Sequence, residues 1–184
     1  MHVQGYLMER CTSTTKVFDG RILNLRVDKV VFDDGLQGTR EVVEHPGASV
    51  IIPLLDNNHV LLVKQYRYAI GRELLEIPAG TLNDGELPEV CAKRELQEET
   101  GYACDKLEKV LECYVAPGYS TEKIHFYLAR GLSRTRQSLD EDERITVVQL
   151  SITEALSRIR NGEICDAKTV CALFRLLDFV GLQT

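Results

Sequence analysis

The sequence predicts a mixed α+β or α/β sandwich of helices and a β-sheet, on three observations. Short β-branched runs separated by turn residues fill the first half of the chain, a charged helix sits between strands at Pro88–Gly101, and two capped helices follow. No internal repeat and no low-complexity linker interrupts this order.

Residues 16–45 carry strand-like alternation. In RILNLRVDKVVF, Ile22, Leu23, Leu25, Val27, Val30 and Val31 recur near period two, and Asp33-Asp34-Gly35 predicts a hairpin turn. The segment is too short for an independent domain. Residues 1–45 are therefore expected as an N-terminal β segment packing on the main body, 46–184, or on a second subunit.

Ser49–Leu55 and His59–Tyr66 are apolar runs around Asp56-Asn57-Asn58, which predicts a buried hairpin. A helix from near Pro88 should stop at Gly101, since proline suits a first turn and glycine a C-terminal one. Lys106–Cys113 and Lys123–Ala129 are expected strands on either side of the loop VAPGYSTE, and Ile145–Leu150 follows the acidic turn SLDEDE. Ser151 with Glu154 makes a capping box ahead of Leu156 and Ile159, with Gly162 as the stop. Asp166 caps a last helix with Val170, Leu173, Phe174 and Leu177 on one face.

The 184 residues, 44% hydrophobic and 27% charged, suit a globular protein with a full core. No run approaches the roughly 20 apolar residues of a membrane span, so no membrane association is expected. The start, MHVQGYLMERC, lacks the basic and apolar regions of a secretory leader, which predicts a cytoplasmic location. Net charge is −6 with no dense Lys/Arg cluster, which excludes a nucleic-acid partner. The six cysteines contain no C-x-x-C pair and the four histidines are scattered. A zinc site is not expected, and most of the thiols read as small buried hydrophobes.

The chemistry concentrates in Gly80–Tyr102, GTLNDGELPEVCAKRELQEETGY. Glu95, Glu98 and Glu99 stand three and four positions apart, on one face of a helix. Carboxylates at that spacing repel by a few tenths of a kcal/mol per pair, and a hard divalent cation reverses the sign. Glu95 and Glu99, one turn apart, are the metal-holding pair, with Glu98 as a ligand or a base for water. Glu86 and Arg94 are too distant for one helical turn, so the loop between them must fold back to join them.

The full spacing, G-x5-E-x7-R-E-L-x-E-E-x-G-Y, comprises Gly80, Glu86, Arg94, Glu95, Leu96, Glu98, Glu99, Gly101 and Tyr102. It resembles the Nudix box of the Nudix hydrolase family, departing only at Tyr102, where the family often has an aliphatic residue. The resemblance implies a Nudix fold, an α/β/α sandwich with a mixed sheet between helices and a small N-terminal antiparallel sheet. It implies Mg2+ as cofactor, with Mn2+ as the alternative. Gly80, Glu86, Arg94 and Gly101 become structural members of the motif, and the Ala79 carbonyl a further metal ligand.

The flanks QYRYAIGRELLEIPAG and APGYSTE, with Pro117 16 residues beyond Gly101, resemble the ADP-ribose pyrophosphatase branch. So do LDEDERITVVQLS and NGEICDAKTVCALFRLL. The implied reaction is hydrolysis of ADP-ribose to AMP and ribose 5-phosphate. Metals neutralise the diphosphate and activate the water, with no covalent intermediate. Residue by residue, the resemblance assigns Arg40, Arg67, Thr81, Gly118 and Glu122 to substrate binding, Glu141 as general base and Glu143 as an additional metal ligand. A box glutamate, Glu98 or Glu95, remains the alternative base. Other nucleoside diphosphate sugars such as GDP-mannose are the alternative substrates, and a non-catalytic nucleotide sensor is the alternative class. The branch also implies a homodimer with exchanged N-terminal sheets.

Overall fold

Why each strand pairs where it does follows from which of its edges and faces can be covered. The computed structural model describes residues 8–181. His2 and the start of the stretch read for a leader lie outside the described residues. Two units result: the chain up to Gly47 together with Tyr114–Lys123, and Ala48–Cys113 together with the chain from Ile124.

The first unit is an antiparallel sheet in the order β1-β2-β3, with β1 at Glu9–Asp19, β2 at Asn24–Phe32 and β3 at Gln37–Glu44. The turn at Asp33-Asp34-Gly35 closes with Gly35 at φ 88° and its N–H donating to the Phe32 carbonyl at 2.9 Å. One expectation is corrected. Ile22 and Leu23 lie in the connection before β2, where Gly20 N–H donates to the Leu23 carbonyl and to Asn24 Oδ1. The strand β1, within the segment expected to be β, is exposed along its whole length. The segment 114–123 attaches to β3 through Val43 N–H to the Tyr119 carbonyl at 2.8 Å and Thr121 N–H to the Val43 carbonyl at 3.0 Å.

The second unit holds two sheets. One has β10 (Ile145–Ser151), β5 (His59–Arg67) and β6 (Arg72–Glu76) in that order; the other runs β7 (Ala79–Thr81), β4 (Ala48–Pro53), β9 (Lys123–Arg134), β8 (Tyr102–Tyr114). The latter is mixed, with β4 parallel to β9 and antiparallel to β7. The buried hairpin expected of Ser49–Leu55 and His59–Tyr66 is therefore not formed. β4 and β5 meet only at their turn, through Leu55 N–H to the His59 carbonyl at 2.9 Å and a single Leu54–Val60 bridge. Each strand gives both edges to other partners, so neither edge remains for a hairpin ladder.

Helices cover both faces of β4, as a sandwich requires. Val50 and Ile52 join the core built with Leu173, Leu176 and Leu177 of α3 (Ala167–Val180) and Ile152 and Ala155 of α2 (Ile152–Arg160). Ile51 points into the other cluster, with Ala92 and Leu96 of α1 (Pro88–Thr100) and with Tyr127 and Ala129 of β9. Ile51, Ile52 and Phe126 are fully buried, a burial that stabilises by about 1.5–3 kcal/mol per side chain.

The caps follow the sequence. Ser151 Oγ accepts from Glu154 N–H at 3.1 Å and Asp166 Oδ2 from Thr169 N–H at 3.0 Å. On α3, however, Phe174 is 45% exposed, and the inner stripe is Thr169, Ala172, Leu173, Leu176 and Leu177. That stripe keeps a three-to-four-residue step, and Phe174 falls one residue, about 100°, beyond Leu173. The cysteine reading is also corrected: all six are free thiols, but only Cys91 is buried, and Cys11, Cys165 and Cys171 are exposed.

Among the described residues, no helix is long and apolar enough to cross a membrane.

Candidate active site

The site is assembled by α1 and the short strand that precedes it. Pro88 opens α1 and Gly101 closes it at φ 71°, its N–H donating to the Gln97 carbonyl at 2.9 Å. The buried face of this helix carries Cys91, Ala92 and Leu96, but also Glu95 and Glu99. Carboxylates on a buried face demand a compensating group.

β7 lies directly against them. Gly80 pairs with Ser49 on β4, and a Cβ placed on Gly80 would stand 1.8 Å from Glu95 Oε1. Only a glycine leaves the Glu95 carboxylate its place. One residue earlier, the Ala79 N–H donates to Glu99 Oε2 at 3.1 Å.

The loop after β7 folds back, with Glu86 N–H donating to the Asn83 carbonyl and Asn83 N–H to Glu86 Oε2. Arg94 then closes it. Its Nε donates to Glu86 Oε1 and its Nη2 to Glu86 Oε2, each at 2.9 Å. Nη2 also reaches the Thr81 carbonyl at 3.3 Å. Nη1 donates to Glu95 Oε1 at 2.5 Å and to Glu98 Oε2 at 2.9 Å. One guanidinium thus binds three glutamates of the motif.

The electrostatics separate these carboxyls. The Arg94 hydrogen bonds pull Glu86 down from 4.5 to about 2. Burial raises Glu95, with Arg94 opposing. Burial, then the neighbouring Glu95, push Glu99 up to about 8, against the Ala79 N–H and with Glu143 adding to the rise. Glu99 is 3% exposed and its carboxylate has only the Ala79 N–H as hydrogen-bond partner among the described residues.

Among the described residues no group of three His, Cys, Asp or Glu side chains is preassembled as a metal centre. Arg94 occupies one oxygen each of Glu95 and Glu98. The donor chemistry fits a hard divalent cation: oxygen ligands only, one of them the buried Glu99 carboxyl, which forms no ion pair among the described residues.

The acidic loop is tied to the same helix. Thr135 N–H, Gln137 Nε2 and Ser138 N–H donate to the carbonyls of Gly101, Glu99 and Glu98 at 2.7, 2.6 and 3.1 Å. These bonds satisfy carbonyls that a helix end leaves free. Beyond this strap Asp140 N–H bonds Glu143 Oε2 at 3.2 Å, and Glu143 is close enough to raise Glu95 and Glu99. Glu141 is exposed. Its main-chain carbonyl accepts from Arg144 Nη1, and its carboxylate has no partner among the described residues.

Ala79, Gly80, Thr81, Glu86, Arg94, Glu95, Glu98 and Glu99 therefore meet around α1, with Glu143 in electrostatic range. Arg67, at the end of β5, is held by Glu76 through Nε–Oε1 and Nη2–Oε2 bonds of 2.7 Å each. In the first unit, Arg40 is bound through Nε and Nη2 by Glu9 at 2.8 and 2.6 Å, its guanidinium 5.6 Å from the Phe32 ring centre. There too, Gly118 is exposed, and Glu122 Oε1 is 3.9 Å from His45 Nδ1.

Sequence reasoning missed Glu76 and Lys168. Glu76 is 1% exposed, and Lys168 Nζ bonds its Oε2. The available signal was a glutamate inside the otherwise apolar LLEIP, since a carboxylate in a buried strand needs a cationic partner.

The NUDIX domain profile matches residues 44–173, and the profile described as the nucleoside diphosphate sugar hydrolase N-terminal domain matches residues 9–43. The chain is 42% identical over 167 residues to a methanol dehydrogenase activator of Bacillus methanolicus, covering 90% of each chain. It is 39% identical over 169 residues to an ADP-ribose pyrophosphatase of Bacillus subtilis (strain 168), covering 91% of each. It is 40% identical over 156 residues to a GDP-mannose pyrophosphatase of Yersinia enterocolitica, covering 78% of this chain and 81% of that one. A solved structure of an ADP compounds hydrolase shares the fold, with a TM-score of 0.83 at 22% identity and 94% of each chain covered.

Proposed function

Because the chain belongs to the Nudix hydrolase family, we propose that it hydrolyses the diphosphate bond of ADP-ribose, giving AMP and ribose 5-phosphate. The observation that carries this reading is the three-carboxylate face of α1, with Glu95 seated over Gly80 and the buried Glu99 against Ala79. Such a face suits a divalent cation and the diphosphate it would neutralise. The ADP-ribose pyrophosphatase relative, similar over nine-tenths of the chain, directs the choice of nucleotide.

Glu95, Glu98, Glu99 and the Ala79 carbonyl would hold the cation, with Glu143 as a further ligand. When bound, Mg2+ or Mn2+ supplies charge neutralisation and a more acidic water. Glu141 takes the proton from the attacking water, since its carboxylate is exposed and unpartnered, whereas Glu98 is bound by Arg94. Arg67 and Arg40 carry the charge that receives the phosphates or stacks on the base. Thr81, Gly118 and Glu122 complete the substrate contacts. Glu86, Arg94 and Gly101 shape the motif.

A homodimer is supported by β1, exposed along its length with Val17 and Phe18 open to solvent, a surface that a second copy of the thin N-terminal sheet would cover. The six free thiols fit a reducing cytoplasm.

The reading is tested by comparing kcat/KM for ADP-ribose, ADP-glucose, GDP-mannose and NADH with Mg2+ present. ADP-ribose is expected to rank first, with AMP released. A preference for GDP-mannose overturns the choice of nucleotide, and binding without cleavage overturns the enzyme.

A further inference from the structure

Arg67 is bound by a carboxylate that carries more positive charge around it than one arginine supplies. Glu76, 1% exposed between Leu75 and Ile77, accepts two hydrogen bonds from Arg67 and a third from Lys168 Nζ, which shares Oε2 with Arg67 Nη2. Lys168 lies in the first turn of α3 and also contacts Asp166 Oδ1 at 3.0 Å. Asp166 is engaged in turn, its Oδ2 accepting from Thr169 N–H and Thr169 Oγ1. Thr169 Oγ1 accepts from Ile77 N–H at 2.8 Å, which ties α3 to the connection between β6 and β7, two residues before Ala79.

This network leaves one part of Arg67 over. Nε and Nη2 are taken by Glu76, while Nη1 has no partner among the described residues and the side chain is 41% exposed. The guanidinium is also within electrostatic range of Glu99.

With Lys168 on the same carboxylate oxygen, Glu76 is shared between two cations. The buried carboxylate, held by both cations, then fixes the direction of the guanidinium, while Asp166 balances the charge of Lys168.

We infer that Lys168 is a positioning residue of the anion site: by holding the buried Glu76, it fixes the Arg67 guanidinium with its outward nitrogen left for a phosphate of the substrate. The role rests on the nucleoside diphosphate reading above and names a residue that does not touch substrate itself.

The test measures ADP-ribose binding to the full chain by calorimetry in EDTA, and separately Mn2+ binding without nucleotide. Lys168→Met is expected to weaken ADP-ribose binding about tenfold, the scale of one unit charge near a protein surface. Mn2+ affinity should stay within about twofold, because Lys168 contacts none of the box carboxylates. Lys168→Arg should retain wild-type binding. Glu76→Gln should bind inorganic pyrophosphate no more weakly than wild type, since it removes a negative charge and keeps an acceptor for Arg67. This variant decides the matter if Lys168→Met fails to fold, because a purely structural ion cluster predicts weaker binding there. Unchanged ADP-ribose affinity in a folded Lys168→Met protein overturns the role of Lys168 alone. Wild-type protein that binds Mn2+ but none of ADP-ribose, ADP-glucose or GDP-mannose overturns the substrate reading and this role with it.

Discussion

Arg94 clasps Glu86 through two parallel N–H bonds of 2.9 Å while its remaining nitrogen holds Glu95 and Glu98. The clasp joins the loop before α1 to the helix face, so loop position and carboxylate position are set together. Arg94→Lys keeps the charge but loses the planar fork. Urea denaturation should show a loss of about 2 kcal/mol, the scale of hydrogen bonds to a charged group. An unchanged midpoint would show that the clasp contributes nothing.

The same pair sets an acid limit. Glu86 falls from 4.5 to about 2 in the folded protein, so its contribution to stability is complete above about 4.5 and is lost as pH drops toward 2. Thermal melts of wild type should decline over that window, and Glu86→Gln should decline less. Parallel acid limbs in the two proteins would contradict the assignment.

Glu99 has the opposite sign. Its carboxyl is raised to about 8, so its favourable contribution is full below about 4.5 and is lost as pH rises through 8. In EDTA, Glu99→Gln should therefore melt above wild type at pH 8 and equal it at pH 4. The same variant should have no hydrolytic activity with Mg2+. Near-normal turnover would sink the metal role of Glu99.

Gly80→Ala tests the close approach of β7 to the helix. The added Cβ meets the end of a flexible side chain, the Glu95 carboxylate, so the fold should survive while Glu95 moves away. Mn2+ titration should show a large loss of affinity with little change in melting temperature. Retained affinity would mean that Glu95 is not a ligand.

The base is decided by comparing Glu141→Gln with Glu98→Gln. A general base contributes about 10²–10⁴ in rate, so Glu141→Gln should lose that much in kcat while binding Mn2+ normally. Glu98→Gln should instead lose Mn2+ affinity. A small kcat effect at Glu141 with a large one at Glu98 would move the base to the box.

Much of α1 is legible in the sequence. Its proline start, its Gly101 stop and the three-and-four spacing of Glu95, Glu98 and Glu99 are properties of one helical segment. The Ser151 and Asp166 caps are likewise contacts within four residues. Other features are not legible because they depend on distant partners. Glu9 lies 31 residues from Arg40, and Lys168 lies 92 residues from Glu76. Neither pairing leaves a periodic mark on the chain.

The carboxylate-bearing helix and the caps of the later helices are local to the sequence, because helix periodicity and capping act over one or two turns. Tertiary contacts instead set that β4 and β5 part into different sheets and that Arg67 shares a buried glutamate with Lys168. Those outcomes depend on which edges remain unpaired and which charges are removed from water together, and both are settled only when remote segments meet.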